Sequence, residues 1–345
     1  MKKLFIIIAA LLLVTSCTKT SDKSCDRTAC NDHESMSVYV ESEFAPLKRV
    51  VLTQSEMLMS EKFFESRGIE GGLPEGFLEK FYEERENLNQ VLLKYGVEVQ
   101  RPRLLTEKEK ELGMIEGGLT DGYGITNFFS RDPFVTIGNH IIELNFCSPY
   151  RRLEVLPIRP ILQKEAESGC FYVGMPQIDI SNGLESEAGP YLEGGDILTY
   201  GKTVFVGNSG RASNHAGIVW LRNYLAHWGY DVVEVPLKET TLHLDCAMSL
   251  VREGLMIVSL EALPCGIPEK LKDWDKIEVS YDAAQQLATN GLPIDENTYI
   301  TDIAFKDTVG KELEKRGIKV EYVDYEYSRK LEGAFRCSTQ PLLRK

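Results

Sequence analysis

An α/β domain is what the sequence predicts, on three observations. Amphipathic helical stretches alternate with short strand-like stretches. The apolar content, 43% of 345 residues, suffices for a sizeable core, and no Pro/Gly-rich linker interrupts residues 38–345. One domain over 38–345 is therefore expected.

Val38–Thr53 is expected as the first strand, with Arg49-Val50-Val51-Leu52 at its apolar end. Between Gly76 and Gly96, Phe77, Leu78, Phe81, Leu88, Val91, Leu92 and Tyr95 recur mostly at helical steps, and Val97-Glu98-Val99 then alternates as a strand does. The rhythm returns later. Val204-Phe205-Val206 precedes a helix over 215–228 and a strand over 231–235, and Tyr299-Ile300 precedes a helix over 306–316 and a strand over 318–322. No strict sequence repeat accompanies it.

Two segments precede the domain. Lys2-Lys3 followed by the apolar run Leu4–Val14 has the form of a secretory signal, too short to span a bilayer comfortably. Val14-Thr15-Ser16-Cys17 resembles a bacterial lipobox, which implies cleavage of 1–16, a lipid on Cys17 and a membrane-anchored lipoprotein facing away from the cytoplasm. An ordinary signal peptide cut elsewhere is the alternative. Residues 17–37, rich in Ser, Thr, Asp and Lys, are expected to form a flexible tether.

Composition excludes several classes. Basic residues number 39 against 52 acidic ones, a net −13 with no long Lys/Arg cluster, so nucleic acid is not an expected partner. Of eight cysteines, seven remain after Cys17, an odd number that leaves at least one free thiol; Cys25 and Cys30 are close enough for a local disulfide. No C-x-x-C is present, which excludes a zinc ribbon or thioredoxin-like motif.

Four clusters carry candidate chemistry. In Thr241–Cys246, apolar and polar residues alternate as on a strand, which would place His243 and Asp245 on one face. Glu193 and Asp196 flank the Gly194-Gly195 pair, where the backbone can turn sharply or admit a close neighbour. Asp132 lies among aromatics and needs a cation, with Arg131 the adjacent choice. Cys337 follows Arg336, which would lower its thiol pKa toward the reactive thiolate. His215 and His227 are on a helix and read as solvated or packing residues. A thiolate, an imidazole and carboxylates together suit attack on a guanidinium. Carboxylates hold the planar cation, sulfur attacks its weakly electrophilic carbon, and an imidazolium protonates the leaving amine.

Asn127–Phe134, Leu192–Asp196, Leu242–Asp245 and Phe335–Ser338 resemble, in that order, the amidinotransferase and arginine deiminase superfamily, over about residues 45–345. The resemblance implies a pentein fold, a five-fold pseudosymmetric α/β propeller of ββαβ-type units. It also implies roles: Cys337 as the nucleophile of a covalent amidino-thioether, His243 as acid then base, and Glu193 as the supporting carboxylate. Asp132 and Asp245 would clamp the substrate guanidinium, Arg151 and Arg211 would hold a substrate carboxylate, and Asp196, Arg131 and Arg336 would be structural. No cofactor or metal is implied; the His243-x-Asp245 pair lacks the second His or Cys that zinc requires.

Residues 138–143 and 217–221 resemble the glycine amidinotransferases, whereas Glu193-Gly194-Gly195-Asp196 and Arg211 resemble the deiminases. Ala262 stands where the transferases carry an arginine. Hydrolysis of arginine or a similar guanidine, giving citrulline and ammonia, is the expectation. The alternatives are amidino transfer to an amine and a lipid-anchored guanidine-binding protein without turnover.

Overall fold

The computed structural model describes residues 36–54, 56–181, 183–184 and 188–345. The expected signal segment and the tether before Met36, with Cys17, Cys25 and Cys30, lie outside the described residues.

Five three-stranded sheets share one topology. In each, a first strand pairs antiparallel with a second, and a third returns parallel to the second. Sheet one joins Thr339–Arg344, Leu47–Leu52 and Glu98–Gln100. Sheet two uses Phe134–Ile137, His140–Glu143 and Phe171–Gly174. Sheet three uses Ile197–Tyr200, Thr203–Asn208 and Asp231–Pro236. Sheet four uses Met248–Arg252, Leu255–Val258 and Asp275–Glu278. Sheet five uses Leu292–Asp295, Thr298–Asp302 and Lys319–Val323.

A parallel return needs a crossover, and helices supply most of them. They are Phe77–Lys94, Arg159–Glu167, His215–Leu225 and the run Lys306–Gly310 plus Lys311–Lys315. Sheet four crosses on the 3₁₀ turns Leu260–Ala262 and Glu269–Leu271. The first helix follows from its sequence: Phe77, Phe81, Leu88 and Leu92 share one buried stripe.

The apolar clusters show how the units associate. Val51 and Leu342 of unit one pack with Phe134 and Ile141 of unit two. Ile142 packs with Val204 between units two and three, Phe205 with Met256 between three and four, and Ile257 with Tyr299 between four and five. Leu292 and Ile300 of unit five return to Val50 and Leu88 of unit one. The five units therefore close into a ring, the pentein fold, with residues 36–345 in one compact unit.

Two local expectations fail. Thr241–Cys246 is not a strand: His243 is extended, but Leu244–Cys246 forms a 3₁₀ turn. The strand expected over 38–53 is regular only at Leu47–Leu52, with isolated bridges at Tyr39, Val40 and Ser42 before it.

Leu342 is fully buried on the strand that closes the ring. Leu342→Ala is expected to destabilise the fold by about 2–5 kcal/mol. Leu104→Ala, at a position 56% exposed, should stay within about 0.5 kcal/mol. Urea unfolding of both variants checks the pair.

Candidate active site

Cys337, His243, Asp245, Glu193 and Asp132 each sit just before the first strand of a unit, whereas Arg151 and Arg211 follow a second strand. Asp132 precedes Phe134–Ile137, Glu193 precedes Ile197–Tyr200, His243 and Asp245 precede Met248–Arg252, and Cys337 precedes Thr339–Arg344. Unit five contributes Asn290 ahead of Leu292–Asp295. In a closed ring these five loops meet at the centre.

They are bonded in cyclic order. The Arg131 amide donates to the Cys337 carbonyl at 3.0 Å, and the Gly194 amide to the Asp132 carbonyl at 3.3 Å. The Leu244 amide donates to Asp196 Oδ1 at 3.0 Å, and Thr289 Oγ1 to the Asp245 carbonyl at 2.8 Å. The Arg336 amide donates to the Asn290 carbonyl at 3.3 Å. The Gly pair is sterically required. A Cβ on Gly194 would lie 2.0 Å from the Arg131 carbonyl oxygen, and one on Gly195 2.5 Å from His243 Nδ1.

Cys337, His243, Glu193, Asp132, Arg151 and Arg211 line one cavity of about 320 Å³. His243 Nε2 is 2.9 Å from Glu193 Oε2. Asp132 Oδ1 accepts the Gly195 amide at 2.8 Å. Phe63, Phe128, Phe129 and Tyr150 form an aromatic wall, and Arg67, Arg211, Lys330 and Glu332 bring charge to the lining.

Several expected partners differ. The cation beside Asp132 is Arg151, not Arg131. Arg151 donates to Asp132 Oδ2 at 2.9 Å, Glu193 Oε2 at 2.6 Å and Glu154 Oε2 at 3.0 Å. A guanidinium committed to three carboxylates has little left for a substrate carboxylate. Arg131 turns away, donating to the Arg336 carbonyl at 3.0 Å and Gln340 Oε1 at 2.9 Å. Asp245 does not line the cavity; its Oδ2 accepts Arg336 Nη1 at 2.9 Å and lies 3.8 Å from Cys337 Sγ. Arg336 also pairs with Glu43, both contacts at 3.1 Å. Arg211 is exposed on the cavity rim. Ala262 is buried in the core between units three and four and lines no part of the cavity.

The electrostatics also depart from expectation at the sulfur. Burial, then the carboxylates of Asp245 and Asp132, push the Cys337 thiol up rather than down. The neighbouring Arg336 charge is spent on Glu43 and Asp245. Burial opposes protonation of His243, but Asp132, Glu193 and Asp196 outweigh it and raise the imidazole to about 10. Burial raises Asp196 to about 7. Burial also disfavours the Asp132 carboxylate, yet Arg151 and His243 hold it below the usual range.

Asp132, Glu193 and His243 each offer an atom within 4.8 Å of the others, close enough for a metal ion. Arg151 already places a cation on both carboxylates, so the set is satisfied as an ion-pair cluster.

Asn290, Glu43 and Glu154 were not singled out from sequence. Asn290 Oδ1 accepts the Cys337 amide at 3.3 Å. The one available signal was position, a polar residue two before a strand, as Asp132 and Cys337 are.

A family model described as "N,N dimethylarginine dimethylhydrolase, eukaryotic" matches residues 78–344. The chain belongs to that family, within the guanidino-group-modifying pentein superfamily. An uncharacterized Bacillus subtilis protein, YkgA, is 31% identical over 217 residues, 63% of this chain and 69% of its own. The mitochondrial glycine amidinotransferase of Xenopus laevis is 24% identical over 322 residues, 82% of this chain and 74% of its own. Among solved structures, an amidinotransferase of saxitoxin biosynthesis from Microseira wollei superposes with a TM-score of 0.75 at 21% identity. The match covers 89% of this chain and 97% of that one. Members of this superfamily act on guanidino C–N bonds, by hydrolysis or by transfer, and this chain is an enzyme of that class.

The raised His243 has a consequence for stability. A raised folded-state value contributes stability that is full below the unfolded value near 6.5 and is lost as pH rises through about 10. Wild-type stability is expected to fall between pH 7 and 10, and His243→Gln to remove that part of the slope. Urea midpoints measured across this range for both proteins test it.

Proposed function

We propose that the protein hydrolyses the guanidinium of arginine or a similar guanidine through a covalent amidino-cysteine. The observation that carries the reading is that a thiol, a hydrogen-bonded His–Glu pair and a buried aspartate share one cavity. In a free cavity the Cys337 thiol is held up by burial and by Asp245 and Asp132. A guanidinium arriving in front of these carboxylates offsets that repulsion and favours the thiolate.

The sulfur then attacks the guanidinium carbon, forming a C–S bond. The tetrahedral adduct collapses as its C–N bond breaks, and the leaving amine takes the proton of the His243 imidazolium. Glu193, bonded to Nε2, stabilises that imidazolium and fixes the ring. Neutral His243 next takes a proton from water, whose oxygen attacks the same carbon and displaces the sulfur. Guanidinium and water thus become a ureido product and ammonium. Asp132 faces the cation from the cavity wall, Asp245 acts on Cys337 from behind, and Arg151 orients Glu193 and Asp132. Arg211 is the rim group suited to a substrate carboxylate.

The purified protein incubated with arginine is expected to give citrulline and ammonia, with an adduct on Cys337 detectable by intact mass. Cys337→Ser and His243→Ala should each lose at least about 10³-fold in kcat/KM. Ornithine formed only when an acceptor amine is added would assign transfer instead. Arginine bound reversibly, with no product and no adduct in any arm, would assign a binding protein.

We also propose that the mature protein is exported and held to a membrane by lipid on Cys17, on the strength of its signal-like leader and lipobox. Fatty-acid labelling and membrane fractionation are expected for wild type. Cys17→Ser should lose both, and an unlabelled wild type would sink the anchor.

A further inference from the structure

Arg85 is an unusual guanidinium. It is 1% exposed on the inner face of the helix Phe77–Lys94. Nη1 donates to Ser328 Oγ, while Nε and Nη2 meet no acceptor in good hydrogen-bond geometry among the described residues, although the Tyr325 hydroxyl interacts with the guanidinium. Arg336 is well supplied by comparison, with Glu43 and Asp245, and Arg131 has a carbonyl and an amide oxygen, with one nitrogen, Nη2, left without a partner among the described residues.

Aromatic faces take the place of acceptors. The Arg85 guanidinium carbon lies 4.0 Å from the centre of the Phe81 ring, 4.9 Å from Tyr325 and 5.5 Å from Phe129. Ring faces attract a desolvated cation, which offsets part of the cost of burying it. Burial still lowers the Arg85 value, with Tyr325, Glu84 and the Cys337 sulfur pulling the other way. A guanidinium nonetheless stays charged in a protein.

The walls of this aromatic box are the supports of the nucleophile. Tyr325 stacks on Phe335 at 4.3 Å, and its hydroxyl is 3.1 Å from Ser338 Oγ. Phe129 lines the cavity with Cys337. Ser328 carries the loop that leads to Cys337, its carbonyl accepting the amides of Leu331 and Gly333. The neighbouring carboxylate is Glu84, tied to the amides of Tyr327 and Ser328 at 2.7 and 2.8 Å and to Ser328 Oγ. Arg101 is the other nearby cation.

The charges acting on Cys337 are therefore divided. Asp245 and Asp132 oppose the thiolate; Arg336 is neutralised on Asp245 and Glu43, and Arg151 on Asp132, Glu193 and Glu154. His243 is bonded to Glu193, and Cys246 Sγ is 3.6 Å from Asp245 Oδ1. Among the described residues two cations beside this loop touch no carboxylate directly: Arg131, bonded to the Arg336 carbonyl and Gln340, and Arg85, which lies behind the loop.

We propose that Arg85 is a positioning residue for the nucleophile, whose charge, held in the aromatic box, favours the anionic form of Cys337 against Asp245 and Asp132. The proposal rests on Cys337 being the nucleophile. A role limited to packing would survive replacement of the charge by a side chain of similar length. A role through charge would not.

The test is the pH dependence of Cys337 alkylation by iodoacetamide in the full-length protein, followed at the peptide carrying Cys337. Arg85→Met fills the box without charge, Arg85→Gln keeps a polar group without charge, and Arg85→Lys keeps the charge. The alkylation midpoint is expected to rise by about one pH unit in the Met and Gln variants. At pH 7 their alkylation should be roughly tenfold slower, with Lys close to wild type. A midpoint unchanged from wild type in either neutral variant that retains the native circular dichroism overturns the proposal. Wild-type turnover of arginine is scored separately. Its absence would overturn the reading of Cys337 as a guanidine nucleophile, while the alkylation series still decides what Arg85 does to the sulfur.

Discussion

The five loops that lead into the first strands are tied into a closed circle of hydrogen bonds, and the site exists because that circle closes. Cys337 meets Arg131, Asp132 meets Gly194, Asp196 meets Leu244, Asp245 meets Thr289, and Asn290 meets Arg336. Each unit supplies one turn of backbone to the centre, and with it one or two side chains. The approach is so close that Gly194 and Gly195 have no room for a Cβ. A shift in any one loop is passed to its neighbours, so Cys337 and the His243–Glu193 pair are held by the same constraint although they are distant in sequence.

Burying this many charges is not explained by stability. An ion pair near 3 Å gains about 5 kcal/mol at an effective dielectric of 20, while desolvation costs several kcal/mol for each ion. The Arg336–Glu43–Asp245 and Arg151–Asp132–Glu193–Glu154 clusters therefore come near balance. What they do supply is direction. Arg336 fixes Asp245 behind the sulfur, and Arg151 fixes Glu193 against the imidazole. The same division sets the protonation states, with the imidazole kept charged and the thiol kept neutral.

The α/β class, most helices and the site's residue types were legible in the sequence because hydrophobic period and chemically distinctive strings carry them. The five-fold repeat was not. Unit one is split between the two ends of the chain, and unit four crosses without an α-helix, so no constant spacing exists to detect. The alternation at Thr241–Cys246 misled because a 3₁₀ turn brings its polar residues inward on separate errands, His243 to Glu193 and Asp245 to Arg336. Pairings of charge were the least legible. Asp132 has Arg131 beside it in sequence, yet its cation comes from nineteen residues on, because the Arg131 side chain is drawn to Gln340. The Arg336–Cys337 neighbourhood misled likewise, since adjacency says nothing of which anion takes the guanidinium.

The division between ring and rim bears on how one fold serves both hydrolysis and transfer. Cys337, His243, Glu193 and Asp132 come from the lead-in loops, which the circle of hydrogen bonds ties together. The groups at the mouth include Phe63 and Arg67, from the segment after sheet one's second strand, and Lys330 and Glu332, from the start of the loop that leads to Cys337. Arg67 joins the two sides of the mouth, 2.6 Å from the Tyr150 hydroxyl and 3.4 Å from Glu332. Whether water or an amine reaches the adduct is, on the proposed function, a question of what this mouth admits, and Phe63 and Arg67 take no part in the circle of hydrogen bonds. On the function proposed above, the ring fixes the bond that breaks, and the rim selects what replaces it.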